Sequence, residues 1–154
     1  MIIYQKTILR IDLKTNPGAF YVFGDNLERK GMGGQAREMR GEPNAIGIAT
    51  KRSPSVFLKD RDFDEWWGAT RHQITFMDAQ HRSLRNAIVF PADGIGTGLA
   101  NLSAQAPKIW RHLCDCLAEI GIKNGVHAAA FFGHVPASAV PGGKNFSSSG
   151  GKNG

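Results

Sequence analysis

Short apolar runs alternate along the chain with longer stretches in which apolar residues recur every three or four positions. The runs are rich in strand-forming residues and are bounded by turn residues, a pattern that predicts buried strands. They cover residues 2–11, 19–23, 45–49, 87–90 and 128–132, and the first of them fits one or two short strands.

Three segments are predicted to be helical. Over residues 63–82 the apolar positions follow three- and four-residue steps, and Asp62 with Glu65 forms a capping-box pattern before them. A second amphipathic stretch predicts a helix over 104–120. A short helix is predicted over 35–40, before the breakers Gly41 and Pro43.

The alternation of strands and helices predicts an α/β fold, with parallel strands and helices on both faces of the sheet. After His134 the chain is rich in glycine, serine and asparagine, and the segment GGKN occurs twice. Such a composition cannot bury enough apolar surface to order itself. We therefore expect one domain over 1–134 and a flexible tail over 135–154.

The composition is that of an ordinary globular protein, with 154 residues, 42% hydrophobic and 21% charged. No apolar run is long enough to cross a bilayer and no signal peptide opens the chain, so we expect a cytoplasmic protein without a membrane contact. The net charge of +6 favours polyanionic partners such as nucleic acid or nucleotides, although surplus surface lysine and arginine explains it equally well.

The two cysteines, Cys114 and Cys116, lie one residue apart on a predicted helix, so their side chains diverge and cannot form a disulfide without distortion. We expect both to be reduced, with Cys114 in the core. No cysteine or histidine spacing is typical of zinc, and the sequence predicts neither a metal nor a cofactor.

Two glycine-rich stretches follow predicted strands. Residues 27–34, the first glycine loop, come after Asp25 and Asn26. Residues 92–101, the second glycine loop, lie within FPADGIGTGLANL. In parallel sheets, ligands bind outside the carboxyl ends of the strands, and glycine lets backbone N–H groups approach an anion. The loops are neither a dinucleotide fingerprint nor a P-loop, and each alone is also compatible with a tight turn; together they favour a phosphate or nucleotide site.

Polar side chains at the strand ends add candidate chemistry. Asn26 can offer an amide donor and acceptor to sugar hydroxyls, or it can be a turn residue. Thr50 and Lys51 leave the strand 45–49 at the same predicted edge. Lys51 can be a phosphate counter-ion, a nucleophile if desolvated, or a plain solvent-exposed lysine.

Three segments together resemble the macrodomain family, which binds ADP-ribose. FGDNLERKGMGGQA is similar to that family's strand-end asparagine, glycine-rich loop and short helix, and FPADGIGTGLANLSAQAPKIW is similar to its second phosphate loop. IATKRSP is similar to the Thr-Lys strand end of the branch that hydrolyses ADP-ribose from acidic side chains or from DNA thymidine. The resemblance covers residues 19–132 and implies a macrodomain-like three-layer α/β/α fold with a mixed, partly parallel sheet.

The resemblance also implies a set of site residues. Lys51 would attack the anomeric carbon, Asn26 would orient the ribose, and Asp93 is the nearest carboxylate, since Ala100 stands where the lysine-dependent branch commonly has an acid. The implied ligand-binding residues are Asp25, Gly31, Gly33, Gly34, Gln35, Thr50, Gly94, Ile95, Gly96, Thr97, Gly98 and Leu99.

Three functions therefore remain open. The chain either hydrolyses ADP-ribose from a protein or nucleic acid, or captures ADP-ribose or a related nucleotide without turnover, as Ala100 favours. The third is a basic nucleic-acid-binding protein in which Trp66 and Trp67 stack on bases. Both tryptophans fall on the apolar stripe of a predicted helix, which is instead typical of core residues.

Overall fold

The structure, a computed structural model, describes residues 1–125. The predicted strand 128–132 and the predicted tail 135–154 lie outside the described residues. Within the described part, no helix has the length and apolar character that a membrane span requires.

The described residues form an α/β fold with a five-stranded mixed sheet, in the order β1-β5-β2-β3-β4. The strands are β1 (Ile2–Gln5), β2 (Ala19–Asn26), β3 (Ala45–Ser53), β4 (Val56–Phe57) and β5 (Ala87–Pro91). All neighbouring pairs are parallel except β3 and β4, which form an antiparallel hairpin that the sequence patterns did not predict.

Helices cover both faces of the sheet, as predicted. They are α1 (Arg10–Thr15), α2 (Ala36–Met39), α3 (Phe63–Arg82), α4 (Leu102–Gln105) and α5 (Pro107–Ile120). Because strand side chains alternate between faces, β2 sends Tyr21 and Phe23 to a core with α1 and α2, and Val22 to a larger core with α3 and α5.

Two predicted elements differ in the structure. The predicted strand run 2–11 is β1 followed by the start of α1, which is a helix because the Asp12 carboxylate accepts a hydrogen bond from the Leu9 N–H (2.8 Å) and caps its first turn. The predicted helix 104–120 is two helices. The chain leaves helical geometry at Ala106, as is expected for the residue before Pro107.

Helix α3 spans residues 63–82 as predicted, but its capping box does not form. The Asp62 carboxylate instead accepts from the Lys59 N–H (2.9 Å) in the preceding 3₁₀ turn, and Glu65 pairs with Arg52 (2.9 Å). Cys114 is only half-buried and not a full core residue. Burial raises the pKa of both cysteine thiols, which therefore stay protonated and weakly nucleophilic at neutral pH.

Candidate functional site

The central strands separate at their carboxyl ends. β2 pairs with β5 only from Ala19 to Tyr21, but it continues to Asn26 alongside β3. Beyond Tyr21 the sheet therefore opens between β2 and β5, and a chain segment follows each strand there. This is the position where α/β sheets place ligand sites, because strands on either side lead away in opposite directions.

A cleft of about 420 Å³ lies at this opening. Every site residue that the sequence predicted lines it: Asp25, Asn26, Gly31, Gly33, Gly34, Gln35, Thr50, Lys51, Asp93, Gly94, Ile95, Gly96, Thr97, Gly98 and Leu99. The structure thus brings together both glycine loops and the end of β3. The lining also includes Gly24, Lys30, Ala36, Arg40, Pro54 and Ala100.

Asp25 lies at the floor of the cleft with its carboxylate almost fully buried. The side chain is 3% exposed and forms a two-point ion pair with Arg40, at 2.5 Å to Oδ1 and 3.2 Å to Oδ2. Oδ1 also accepts the Asn26 N–H (2.8 Å), and Arg29 lies 3.7 Å from Oδ2. Both carboxylate oxygens are therefore engaged within the protein, and Asp25 has the geometry of an internal counter-ion.

Asn26 closes the beginning of the first glycine loop. Its side-chain Nδ2 donates to the Lys30 carbonyl (2.7 Å), and its Oδ1 accepts the Lys30 N–H (3.4 Å). The amide therefore bridges four residues of loop, the turn role that the sequence left open. The register of the sheet places Asn26 directly beside Lys51 on β3.

Close packing at the strand ends depends on glycine at position 47. A Cβ on Gly47 would lie 2.6 Å from Oδ2 of Asp25, so only glycine lets that carboxylate turn inward at its observed position. Thr50 is buried, and its hydroxyl donates to the Asp25 carbonyl (3.3 Å). These contacts fix the end of β2 before the chain enters the first glycine loop.

The second glycine loop is held by Asn124, which follows α5. The Asn124 side chain accepts the Ile95 N–H (2.8 Å) and donates to the Ile95 carbonyl (3.0 Å), and the residue is 5% exposed. Gly94 has φ +82°, and a Cβ there would lie 2.6 Å from Oδ1 of Asn124. The loop thus requires glycine at position 94 for both its backbone conformation and its contact.

Both loops keep backbone donors unpaired. The N–H groups of Gly33, Gly34 and residues 96–99 donate to no acceptor within residues 1–125, and these residues line the cleft. Unpaired donors of this kind, on two loops around one opening, can bind the oxygens of an anionic group such as a phosphate.

Lys51 extends along the hairpin at the side of the cleft. Its ammonium donates to the Pro54 carbonyl (2.5 Å) and lies 5.6 Å from the centre of the Phe57 ring. The neighbouring Arg52 pairs with Asp62 (3.1 Å) and Glu65 (2.9 Å), and its hydrogen bond to Glu65 raises the pKa of the guanidinium above its usual value. The positive charge of Arg52 is therefore neutralised by Asp62 and Glu65.

Asp93 and Ala100 lie at opposite ends of the second glycine loop. The Asp93 side chain is exposed, while its carbonyl accepts the Thr97 hydroxyl (2.7 Å). Ala100 lines the cleft but brings no functional group. Asp93 is thus the exposed carboxylate of this lining. Among residues 1–125, no group of His, Cys, Asp or Glu side chains is arranged to hold a metal ion.

The two tryptophans differ in their surroundings. Trp66 is fully buried and donates its Nε1–H to the Ala49 carbonyl (2.8 Å), so it cannot stack on a base. Trp67 is half-buried and lies edge-on to His112, with ring centres 4.5 Å apart. The expectation that both belong to the core is confirmed for Trp66, while Trp67 packs at the edge of the core.

Sequence reasoning missed two residues that shape the site, Arg40 and Asn124. Arg40 is the last residue of the predicted short helix 35–40, where a basic side chain is ordinary. Asn124 lies between two glycines in a segment that resembles any turn. A buried strand-end aspartate such as Asp25 requires a cationic partner, but the pattern does not say which cation supplies it.

The fold and the site define an α/β protein with a glycine-lined cleft at the carboxyl ends of its central strands. The chain belongs to a family of unknown function, DUF7831, whose model matches residues 3–116 and therefore includes both glycine loops. The comparisons with curated proteins and with solved structures give no match.

Proposed function

We propose that this protein binds ADP-ribose, free or attached to a larger substrate, in the cleft between the two glycine loops. The observation that carries the proposal is that all the residues selected from the macrodomain resemblance line one cleft, with unpaired N–H groups on both loops. A diphosphate suits such donors, and a cleft of about 420 Å³ lies in the range of small-molecule sites.

The same proposal includes a macrodomain-like arrangement of the domain. It is supported by the mixed sheet with helices on both faces and by the position of the loops after β2 and β5. Calorimetric titration with ADP-ribose, AMP and NAD tests the binding directly. No heat and no thermal shift with ADP-ribose at millimolar concentration would remove the basis of the proposal.

The first prediction concerns Gly33. A Cβ there meets nothing within 4 Å, and its φ lies outside the left-handed region, so Gly33→Val should fold normally while filling the mouth of the cleft. We expect ADP-ribose binding to weaken at least roughly tenfold, about 1.4 kcal/mol, with little change in Tm. Calorimetry and thermal denaturation measure the two effects.

Gly68→Val is the matched control for this prediction. Gly68 lies on α3, where an added Cβ also meets nothing within 4 Å, and it does not line the cleft. Its ADP-ribose affinity should equal that of the wild type. If Gly33→Val and Gly68→Val bound ADP-ribose with equal affinity, the ligand would not lie against the first glycine loop.

We propose hydrolysis of the ADP-ribose linkage as the activity of the site. It is favoured by the register of β2 and β3, which puts Lys51 beside Asn26 in the lining of the cleft. Lys51 would attack the anomeric carbon, and the bond to the leaving group would break as the carbon–nitrogen bond forms. Asp93 would carry the proton that the lysine nitrogen loses to the leaving group, and water would then displace the lysine from the anomeric carbon and release ADP-ribose.

The competing candidate is a binding module without turnover. It is favoured by Ala100, which brings no acid to the lining, and by the contacts of Lys51 with the Pro54 carbonyl and the Phe57 ring. If the protein binds ADP-ribose tightly but releases none from modified DNA or protein, this candidate is correct. Ala100→Asp is then the substitution expected to restore catalysis.

The second prediction distinguishes rate from affinity at Asp93. Its side chain is exposed and has no hydrogen bond within the described residues, so Asp93→Ala should not disturb the fold. If Asp93 transfers a proton, the rate should fall by about 100-fold or more while the affinity for ADP-ribose changes only slightly. Release of ADP-ribose and calorimetry on the same sample measure both. An unchanged rate would exclude Asp93 from proton transfer.

A further inference from the structure

Arg40 connects the first glycine loop to the sheet. Its guanidinium pairs with the Asp25 carboxylate at 2.5 Å and 3.2 Å, donates from Nε to the Gly31 carbonyl (2.8 Å), and donates from Nη2 to the Lys30 carbonyl (3.3 Å). It also lies 5.7 Å from the centre of the Phe23 ring. The planar guanidinium therefore binds the end of β2 and two consecutive loop carbonyls at the same time. This geometry suits arginine, which has several donor nitrogens in one plane, and not lysine, which has a single nitrogen.

The counter-ion of Arg40, Asp25, is held in place by burial and by its contacts. Asp25 is buried, accepts the Asn26 N–H, and is confined from behind at Gly47, where even one methyl group would approach its Oδ2 to 2.6 Å. Because the carboxylate is fixed on β2, the guanidinium bound to it is fixed as well. The loop carbonyls that it binds therefore take a defined position relative to the sheet.

The loop has few other attachments near its glycines. Asn26 holds Lys30, but the Gly31 carbonyl has Arg40 as its hydrogen-bond donor, and Gly33 and Gly34 donate to no acceptor within residues 1–125. The loop residues 31–34 are all exposed. Without Arg40, this stretch would lose its connection to the floor of the cleft.

The first glycine loop borders the Lys51 side of the cleft. A Cβ on Gly31 would lie 3.2 Å from the Pro54 ring, and the Pro54 carbonyl accepts the Lys51 ammonium. If Lys51 reacts at the anomeric carbon, the ribose that carries this carbon must lie against this loop. The loop then contacts the part of ADP-ribose that AMP lacks.

We propose that Arg40 is the positioning residue of this site. Its guanidinium holds the backbone of residues 30–34 in the conformation that receives the distal ribose and its phosphate, and it thereby sets the preference for ADP-ribose over AMP. The ligand part of this inference rests on the proposed function, whereas the positioning of the loop does not. Arg40 acts through the loop backbone and not by contact with the reacting atoms.

The third prediction tests Arg40 with two readouts. In Arg40→Ala without ligand, the amides of Arg29 and Lys30, which donate to Asn26, should exchange hydrogen at least about tenfold faster, while the Ile95 amide, held by Asn124, should not change. ADP-ribose should bind roughly tenfold more weakly, and AMP should lose less than about threefold. Hydrogen exchange and calorimetry provide the measurements.

Arg37→Ala and Arg40→Lys are the controls. Arg37→Ala removes the same charge from an exposed position on α2, the helix that Arg40 follows, and should leave both readouts unchanged. Arg40→Lys keeps the charge but loses the planar guanidinium, so its loop exchange and its ADP-ribose affinity should lie between those of the wild type and of Arg40→Ala. If the alanine variant does not fold, the lysine variant still has to show faster exchange confined to the first glycine loop.

Unchanged exchange of the Arg29 and Lys30 amides would overturn the inference. So would an equal loss of ADP-ribose and AMP binding together with faster exchange in both loops, since this is the result of a general loss of stability. A wild type that binds neither ligand would refute the proposed function and the ligand preference. The exchange pattern of the ligand-free variants would then decide the positioning of the loop by itself.

Discussion

Trp66→Ala is expected to lower the free energy of unfolding by about 4 kcal/mol, the largest loss of stability that we predict for a single substitution. Trp66 lies on α3, fully buried against β3 and α5, and its Nε1–H donates to the Ala49 carbonyl. Alanine would leave a large cavity and a buried carbonyl without its donor. Urea denaturation measures the free energy, and Tm should fall by roughly 10 °C.

Trp66→Phe is the control for this prediction, because it keeps most of the aromatic volume and removes the indole donor. Its expected cost is about 1–2 kcal/mol. If Trp66→Ala left the stability unchanged but weakened the binding of single-stranded nucleic acid, the buried position would be contradicted. An accessible Trp66 that stacks on bases would then support the nucleic-acid-binding alternative.

Lys51→Ala is expected to abolish hydrolysis while ADP-ribose binding weakens only modestly. A nucleophile that forms a covalent intermediate cannot be replaced by a methyl group, so the rate should fall by about 1000-fold or more. The affinity should change little because the Lys51 ammonium contacts the Pro54 carbonyl and the Phe57 ring within the protein. The assay is release of ADP-ribose from modified DNA and modified protein, with calorimetry on the same variants.

Lys51→Arg separates the nucleophile from the positive charge. Arginine keeps the charge beside Phe57 but stays protonated, so it should be as inactive as alanine. Full activity in the arginine variant would show that the residue contributes only charge. Full turnover by Lys51→Ala would refute the lysine mechanism altogether.

The sequence predicted the elements whose pattern is long and regular. Helix α3 begins at Phe63 and ends at Arg82 as predicted, because an apolar pattern with helical spacing that continues over twenty residues is typical of an amphipathic helix. Helix α1 was not predicted, since it has only six residues and its strongest signal is the Asp12 contact with Leu9 N–H. Short elements depend on single hydrogen bonds, which cannot be predicted from the spacing of apolar residues.

The loops of the candidate site were predictable because they follow strands directly. Parallel strands put their carboxyl ends at one edge, so the residues after β2, β3 and β5 had to lie near each other. Arg40 and Asn124 were not predictable in this way. Their partners Asp25 and Ile95 lie 15 and 29 positions away, and no local sequence pattern records a contact between residues so far apart.

The Asn124 clamp also affects where the domain can be divided. The family model ends at residue 116, inside α5, whereas the amide that fixes Ile95 comes eight positions later. The buried residues Leu117, Ile120 and Ile122 lie between them. A fragment that ends at the family boundary would keep every glycine of the cleft but lose the Asn124 side chain, which holds the second glycine loop in shape. Any transfer of this site to another protein scaffold therefore has to include the chain through Gly125.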